Sequence, residues 1–177
     1  MNTLDRISTK VEVREFSDRP VSSDVKLKVL EAARMTGSSM NTQHWRFILV
    51  QEKANIRRLA GDSTTGRWVG GCSFAVIVLT DPKVPGYLLD TGRAVQDMQL
   101  AAWDQGVGSG IYTGVDEQKL RGDFGIPDSL KPTACLGFGY PAKKVSGRRK
   151  KRKPLEEIAF SEAVGKKLEL SRYLDRT

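Results

Sequence analysis

The chain has a single histidine, His44, and two cysteines, Cys72 and Cys135, among 177 residues. Without CxxC spacing and with one imidazole, it lacks the ligands for a dedicated His/Cys metal site, and the two thiols read as reduced and buried. His44 stands beside Trp45, where it reads as a packing or hydrogen-bonding residue rather than a general base. Long apolar runs are also missing. FAVIVL at 74–79 falls far short of the ~18 residues a membrane span needs. The start, MNTLDRISTK, has no apolar core of a secretory signal, so the expectation is a cytoplasmic protein with no membrane partner. A composition of 39% hydrophobic and 28% charged residues gives no case for disorder and suits one domain over 1–177. Charge of one sign is scarce everywhere but one place. The formal net charge is +8, yet removing the six successive cations Arg148 to Lys153 leaves +2. A run such as SGRRKKRKP at 146–154 could be a nucleic-acid arm, an address tag or an anion clamp. Basicity confined to one segment weighs against a nucleic-acid partner, because duplex binders spread Lys and Arg over a face.

Along the chain, Leu4 and Ile7 suggest a short first helix, and VEVREF at 11–16 opens an extended connection toward Pro20. Ser22 or Ser23 caps a helix to about Met35, with Val25, Val29, Ala32 and Ala33 at helical spacing and Gly37 as the stop. WRFILVQ at 45–51 is β-branched and aromatic and reads as a strand. A short helix through NIRRLA and a fully buried strand, SFAVIVLTD at 73–81, follow. The longest helix is expected from Tyr87 to Gln105, with Leu89, Ala94, Val95, Met98, Ala101 and Ala102 on one broad face. After a glycine-rich loop, DEQKLRGDF starts a helix and TACLGFGY at 133–140 supplies a strand. From the residues alone the class is α/β or α+β.

Two nucleotide-like patterns fail. GDSTTGR at 61–67 lacks the lysine and hydroxyl residue of a phosphate-binding loop and follows a helix where a strand is required. GVGSG at 106–110 has its glycines at the wrong offsets for a dinucleotide fold or a nucleophile elbow, and reads as a helix stop and turn. The informative stretch is GSSMNTQHW at 37–45, a loop dense in hydroxyls and amides. It is either a hydrated turn or a grip for a planar polar ligand, since short polar side chains let the main chain approach ring heteroatoms or phosphate oxygens.

Four segments in order resemble the FMN-dependent nitroreductase family. VREFSDRPV is similar to its opening. GSSMNTQHWRFILV resembles its PS-x-x-N-x-Q-PW loop and strand, and DTGRAVQDMQLAAWDQGVGS its D-x-G-A-A-x-Q-N-x-x-L-A-A-x-x-x-G-x-G-S helix. The fourth is GIPDSLKPTACLGFGYPAKK running into RKPLEE. The resemblance spans residues 11 to about 158. It implies an α+β fold with a central, mostly antiparallel sheet flanked by helices, a homodimer with FMN at the interface, and NAD(P)H as electron donor to a small acceptor.

Carried over position by position, the resemblance puts Ser38, Ser39, Met40, Asn41 and Gln43 along the flavin. It puts Tyr112, Thr113 and Gly114 near the opposite part of its ring. Lys150 and Arg152, spaced K-x-R before Pro154, match a basic pair that helps hold the FMN phosphate, which makes the basic run an anion clamp. The C-terminal segment 160–177 would wrap on the partner subunit. No residue is implied as acid or base. The alternatives are a family-like binding module without FMN and a basic nucleic-acid-binding protein. Three departures stand out. Where the family opens its site with R-R-S and a later Arg or Lys, this chain has Lys10, Val11, Glu12 and Arg14, so the charges are kept but a carboxylate replaces a serine near an anionic phosphate. His44 replaces a proline before Trp45, and the segment GDSTTGRWVGGCS is shorter than usual.

Overall fold

The computed structural model describes residues 2–145 and 150–169. The chain falls into two compact units, residues 1–147 and 148–177, with the boundary just ahead of the six successive cations.

The first unit is built on β2, Phe74–Thr80, which is buried along its whole length. Its side chains alternate across the sheet, as a strand's period of two requires. Phe74, Val76 and Val78 enter one core, and Ala75, Ile77 and Leu79 enter the other. Strand β1, Trp45–Val50, pairs with one edge of β2 and β4, Lys131–Gly139, with the other. β3, Gly108–Tyr112, pairs with the far side of β4. The order is β1-β2-β4-β3 and every ladder is antiparallel. The antiparallel α+β expectation therefore holds. Phe74 and Phe138 are register partners and stack with centroids 4.7 Å apart.

Helices cover both faces. α1 spans Thr3–Thr9, closed by a capping box between Asn2 and Asp5. α2, Ser23–Met35, starts where the Ser22 hydroxyl accepts from the Val25 N–H. α3 spans Lys53–Gly61, α4 Tyr87–Asp104 and α5 Glu117–Phe124. α2 and α4 supply Val25, Val29, Ala94, Met98 and Ala102 to the first core, and α3 and α5 supply Ile56, Leu59 and Leu120 to the second.

Two expectations are corrected. Residues 108–112 form a strand rather than a turn. The segment is glycine-rich because of what packs on it. A Cβ at Gly110 would stand 2.6 Å from Trp68 Cη2 and 2.7 Å from the Val13 carbonyl, so only glycine fits there. The helical spacing puts Leu89 on the buried face of the long helix, but it is 70% exposed. The buried face runs through Thr91, Ala94, Val95, Met98 and Ala102, and a residue two positions from Thr91 points about 200° around the helix.

In the second unit, Leu155–Glu157 makes one 3-10 turn, and Phe160 and Lys167 form an antiparallel bridge closed by a Ser161 N–H to Lys166 carbonyl bond of 2.9 Å. Among the described residues, no helix is long and apolar enough to cross a membrane.

Candidate functional site

The polar loop between α2 and β1 is ordered by a dense set of bonds. The Thr36 hydroxyl, at the end of α2, donates to the Ala32 carbonyl at 3.1 Å and to Asp97 Oδ2 of α4 at 2.6 Å. Residues Ser39–Asn41 then make a 3-10 turn. The Ser38 carbonyl accepts from the Asn41 N–H at 3.0 Å, and the Ser38 hydroxyl accepts from the Gln43 N–H at 3.0 Å. Met40, Asn41 and Gln43 have φ of 49°, 55° and 45°. Left-handed backbone costs a non-glycine residue roughly 1–2 kcal/mol, so three in four positions need an external anchor.

Asp90, in the first turns of α4, is that anchor. Its Oδ2 accepts from the Ser39 N–H at 2.9 Å and lies 3.2 Å from His44 Nε2. The Asp90 and His44 side chains are almost wholly buried, and Arg93 NH1 lies 3.7 Å from the other carboxylate oxygen. His44 is thus a buried hydrogen-bonding residue, as its sequence context suggested. Asn41 and Gln43 remain exposed, with Gln43 Nε2 donating to Asn41 Oδ1 at 3.2 Å. Met40 is 81% exposed. Nothing in the sequence named Asp90 as part of this loop, although a carboxylate set among the apolar positions of a core-facing helix was a signal.

A second polar cluster forms where Glu12 and Val13 run beside β3, with Glu12 bridged to Ser109 and the Val13 N–H donating to the Ser109 carbonyl at 2.8 Å. The Glu12 carboxylate pairs with Lys10 Nζ, accepts from Gln99 Nε2 at 3.2 Å and accepts from the Ile111 N–H at 3.2 Å. The expected repulsion between Glu12 and an anionic ligand is thus met by a cation that the chain itself supplies. Arg14 lies with its guanidinium 5.8 Å from the centroid of Trp68. Asp90 and Gln99 both belong to α4, nine positions apart, so about 13 Å of one helix supports both clusters.

Tyr112, Thr113 and Gly114 follow β3. The Tyr112 side chain is buried in the second core, edge-on to Trp68 at 5.6 Å, and burial pushes its hydroxyl pKa up. Thr113 is exposed. The Gly114 carbonyl accepts from the Thr64 N–H at 2.9 Å, and a Cβ there would meet Thr65 Oγ1 at 2.4 Å. Lys150 and Arg152 belong to the second unit, where Arg152 NH1 donates to the Lys151 carbonyl at 2.9 Å. Arg148 and Arg149 lie outside the described residues.

As a donor set, the loop fits the ring of a flavin, with exposed amides and hydroxyls on backbone held in one shape. Arg14 fits a phosphate, whereas Lys10 is already paired.

The chain is 32% identical over 147 residues to a protein of Archaeoglobus fulgidus provisionally named an NADH dehydrogenase/NAD(P)H nitroreductase, covering 78% of this chain and 84% of that one. A nitroreductase family protein from Clostridium difficile 630 superposes with TM-score 0.83 at 27% identity, covering 93% of this chain and 100% of the other. The FMN-dependent nitroreductase of C. difficile R20291 shares the fold, with TM-score 0.83 at 19% identity over 91% of this chain and 100% of that one. The Nitroreductase family model matches residues 7–70 and 75–140. With the fold, the anchored polar loop and these matches in agreement, the chain belongs to the Nitroreductase family, a family of oxidoreductases.

Proposed function

We propose that the protein is an FMN-dependent oxidoreductase that takes hydride from NADH or NADPH and passes electrons to a small acceptor such as a nitroaromatic, a quinone or free flavin. The observation that carries this reading is the strained polar loop Ser38–Gln43 fastened to Asp90. Backbone strain of this kind persists only where the surroundings over-determine it, and it clusters at ligand sites. The names of the Archaeoglobus and Clostridium proteins, which include NAD(P)H and FMN, support it.

When bound, FMN supplies hydride acceptance and delivery at N5. The chain's own part is binding and orientation. Ser38, Ser39, Met40, Asn41 and Gln43 line the ring, and Asp90 keeps their main chain fixed. Thr113 and Gly114 would border the ring, and Tyr112 is buried in the second core beside them. Within the first unit Arg14 is the proposed phosphate partner, since a guanidinium matches phosphate with two parallel donors. A homodimer is part of this reading, supported by the exposed Leu27 and Met35 of α2 and Leu88 and Leu89 of α4.

Purified protein incubated with FMN and desalted should keep a flavin absorption spectrum, bleach on anaerobic addition of NADH or NADPH, and recover its colour with a quinone. Colourless protein after FMN loading, with no nucleotide oxidation, would sink the reading.

A further inference from the structure

We propose that Glu12 is a specificity-determining residue of the flavin site, an internal counter-ion that engages Lys10 and so lowers the preference for a flavin carrying a phosphate over one without. The inference rests on the flavin reading above. Glu12 and Val13 run beside β3, and Val13 is buried while Glu12 and Arg14 on either side of it are exposed. The charge order on this stretch is cation, anion, cation: Lys10, Glu12, Arg14.

The two partners of the ion pair are not equally accessible. The Lys10 side chain is 9% exposed and that of Glu12 is 42% exposed. A ligand that approaches this stretch therefore meets the carboxylate first, with the ammonium behind it. Gln99 Nε2 and the Ile111 N–H complete a three-donor cradle around Glu12. Three donors converging on one carboxylate make a site for an oxyanion, and the chain fills it with its own. Lys10 thus contributes almost no net charge to an outside phosphate, and among the described residues of this stretch Arg14 is the cation left to meet one. The loop contacts to the ring are indifferent to this balance, since they involve Ser38–Gln43 on another segment.

The test separates ring binding from phosphate binding by titrating the protein with FMN and with riboflavin, following flavin fluorescence at low and at moderate salt. In Glu12→Gln one acceptor oxygen remains, enough for Gln99 or Ile111 but not both, and the charge goes. The ratio of FMN to riboflavin affinity should rise about ten-fold, as expected for one unit charge removed near a phosphate. The gain should shrink as salt is added. Glu12→Ser, which also opens the cradle, should move the ratio the same way. Lys10→Met should lower it by a comparable factor, and Lys10→Met combined with Glu12→Gln should restore the wild-type ratio. A loss of fold would weaken both flavins together and leave the ratio alone. If both flavins bind and the ratio is the same in wild type, Glu12→Gln and Glu12→Ser, the proposal is overturned while the flavin reading stands. If no form binds either flavin, the flavin reading itself fails and this proposal with it.

Discussion

Met40 is the least comfortable residue of the candidate site, because it combines a left-handed backbone with a side chain that is 81% exposed. Asparagine tolerates this region, but methionine has no compensating local hydrogen bond. Met40→Gly should therefore relieve strain of roughly 1–2 kcal/mol against an added unfolded-state entropy of under about 1 kcal/mol, a net gain of about 0.5 kcal/mol. The same change loosens the loop, so FMN affinity should fall while the melting temperature rises. Thermal unfolding and flavin titration on one preparation check both signs, and a loss of stability would contradict the strain argument. The two thiols give a pH prediction. Burial pushes both Cys72 and Cys135 up to about 12 from an ordinary 9.0. Between those values the fold retains protons that the unfolded chain has lost, so stability contributed by the thiols is full below about pH 9 and declines as pH rises toward 12. Urea midpoints measured at about pH 8 and about pH 10 should fall less in a Cys72→Ala, Cys135→Ala double variant than in the wild type.

At the scale of elements, β1, β2 and β4 were legible because runs of Val, Ile, Leu and Phe alternate between two cores, and α2 was legible because Ser22 caps it. β3 was not, since Gly108, Ser109 and Gly110 carry little strand preference of their own, and the Val13 side chain presses on Gly108 as the Trp68 ring and the Val13 carbonyl press on Gly110. Gly110→Ala should consequently cost about 2–3 kcal/mol, because one of the clashing atoms is backbone and cannot step aside. Gly122 of α5 is the control. Open space surrounds its Cβ position, and Gly122→Ala should stabilise by roughly 0.5–1 kcal/mol through helix propensity. Equal effects at the two glycines, measured by denaturant unfolding, would refute the packing explanation. The site divides in the same manner. The polarity of residues 38–43 was readable in one segment. The Asp90 anchor and the Gln99 contact to Glu12 were not, because each joins residues roughly 50 to 90 positions apart, and no local pattern encodes a partner at that distance.

At the scale of the molecule, α2 and α4 bury one side and leave Leu27, Met35, Leu88 and Leu89 in solvent on a single chain. Exposed apolar side chains on packed helices are what a self-complementary interface buries. Sedimentation at micromolar concentration should give the mass of two chains, and Leu89→Glu should shift it toward one and release flavin. A flavin-loaded wild-type monomer would remove the dimer from the reading. The bond from the Ser39 N–H to Asp90 has a further consequence, in time rather than in space. The contact closes a 51-residue separation, so the loop can take its working shape only after β1, β2 and α4 have come together. Competence to hold a cofactor is then a late event in folding, because slow long-range closure precedes it. In refolding from urea, the recovery of helix and sheet signal should run ahead of the quenching of added FMN, and the lag should be independent of FMN concentration.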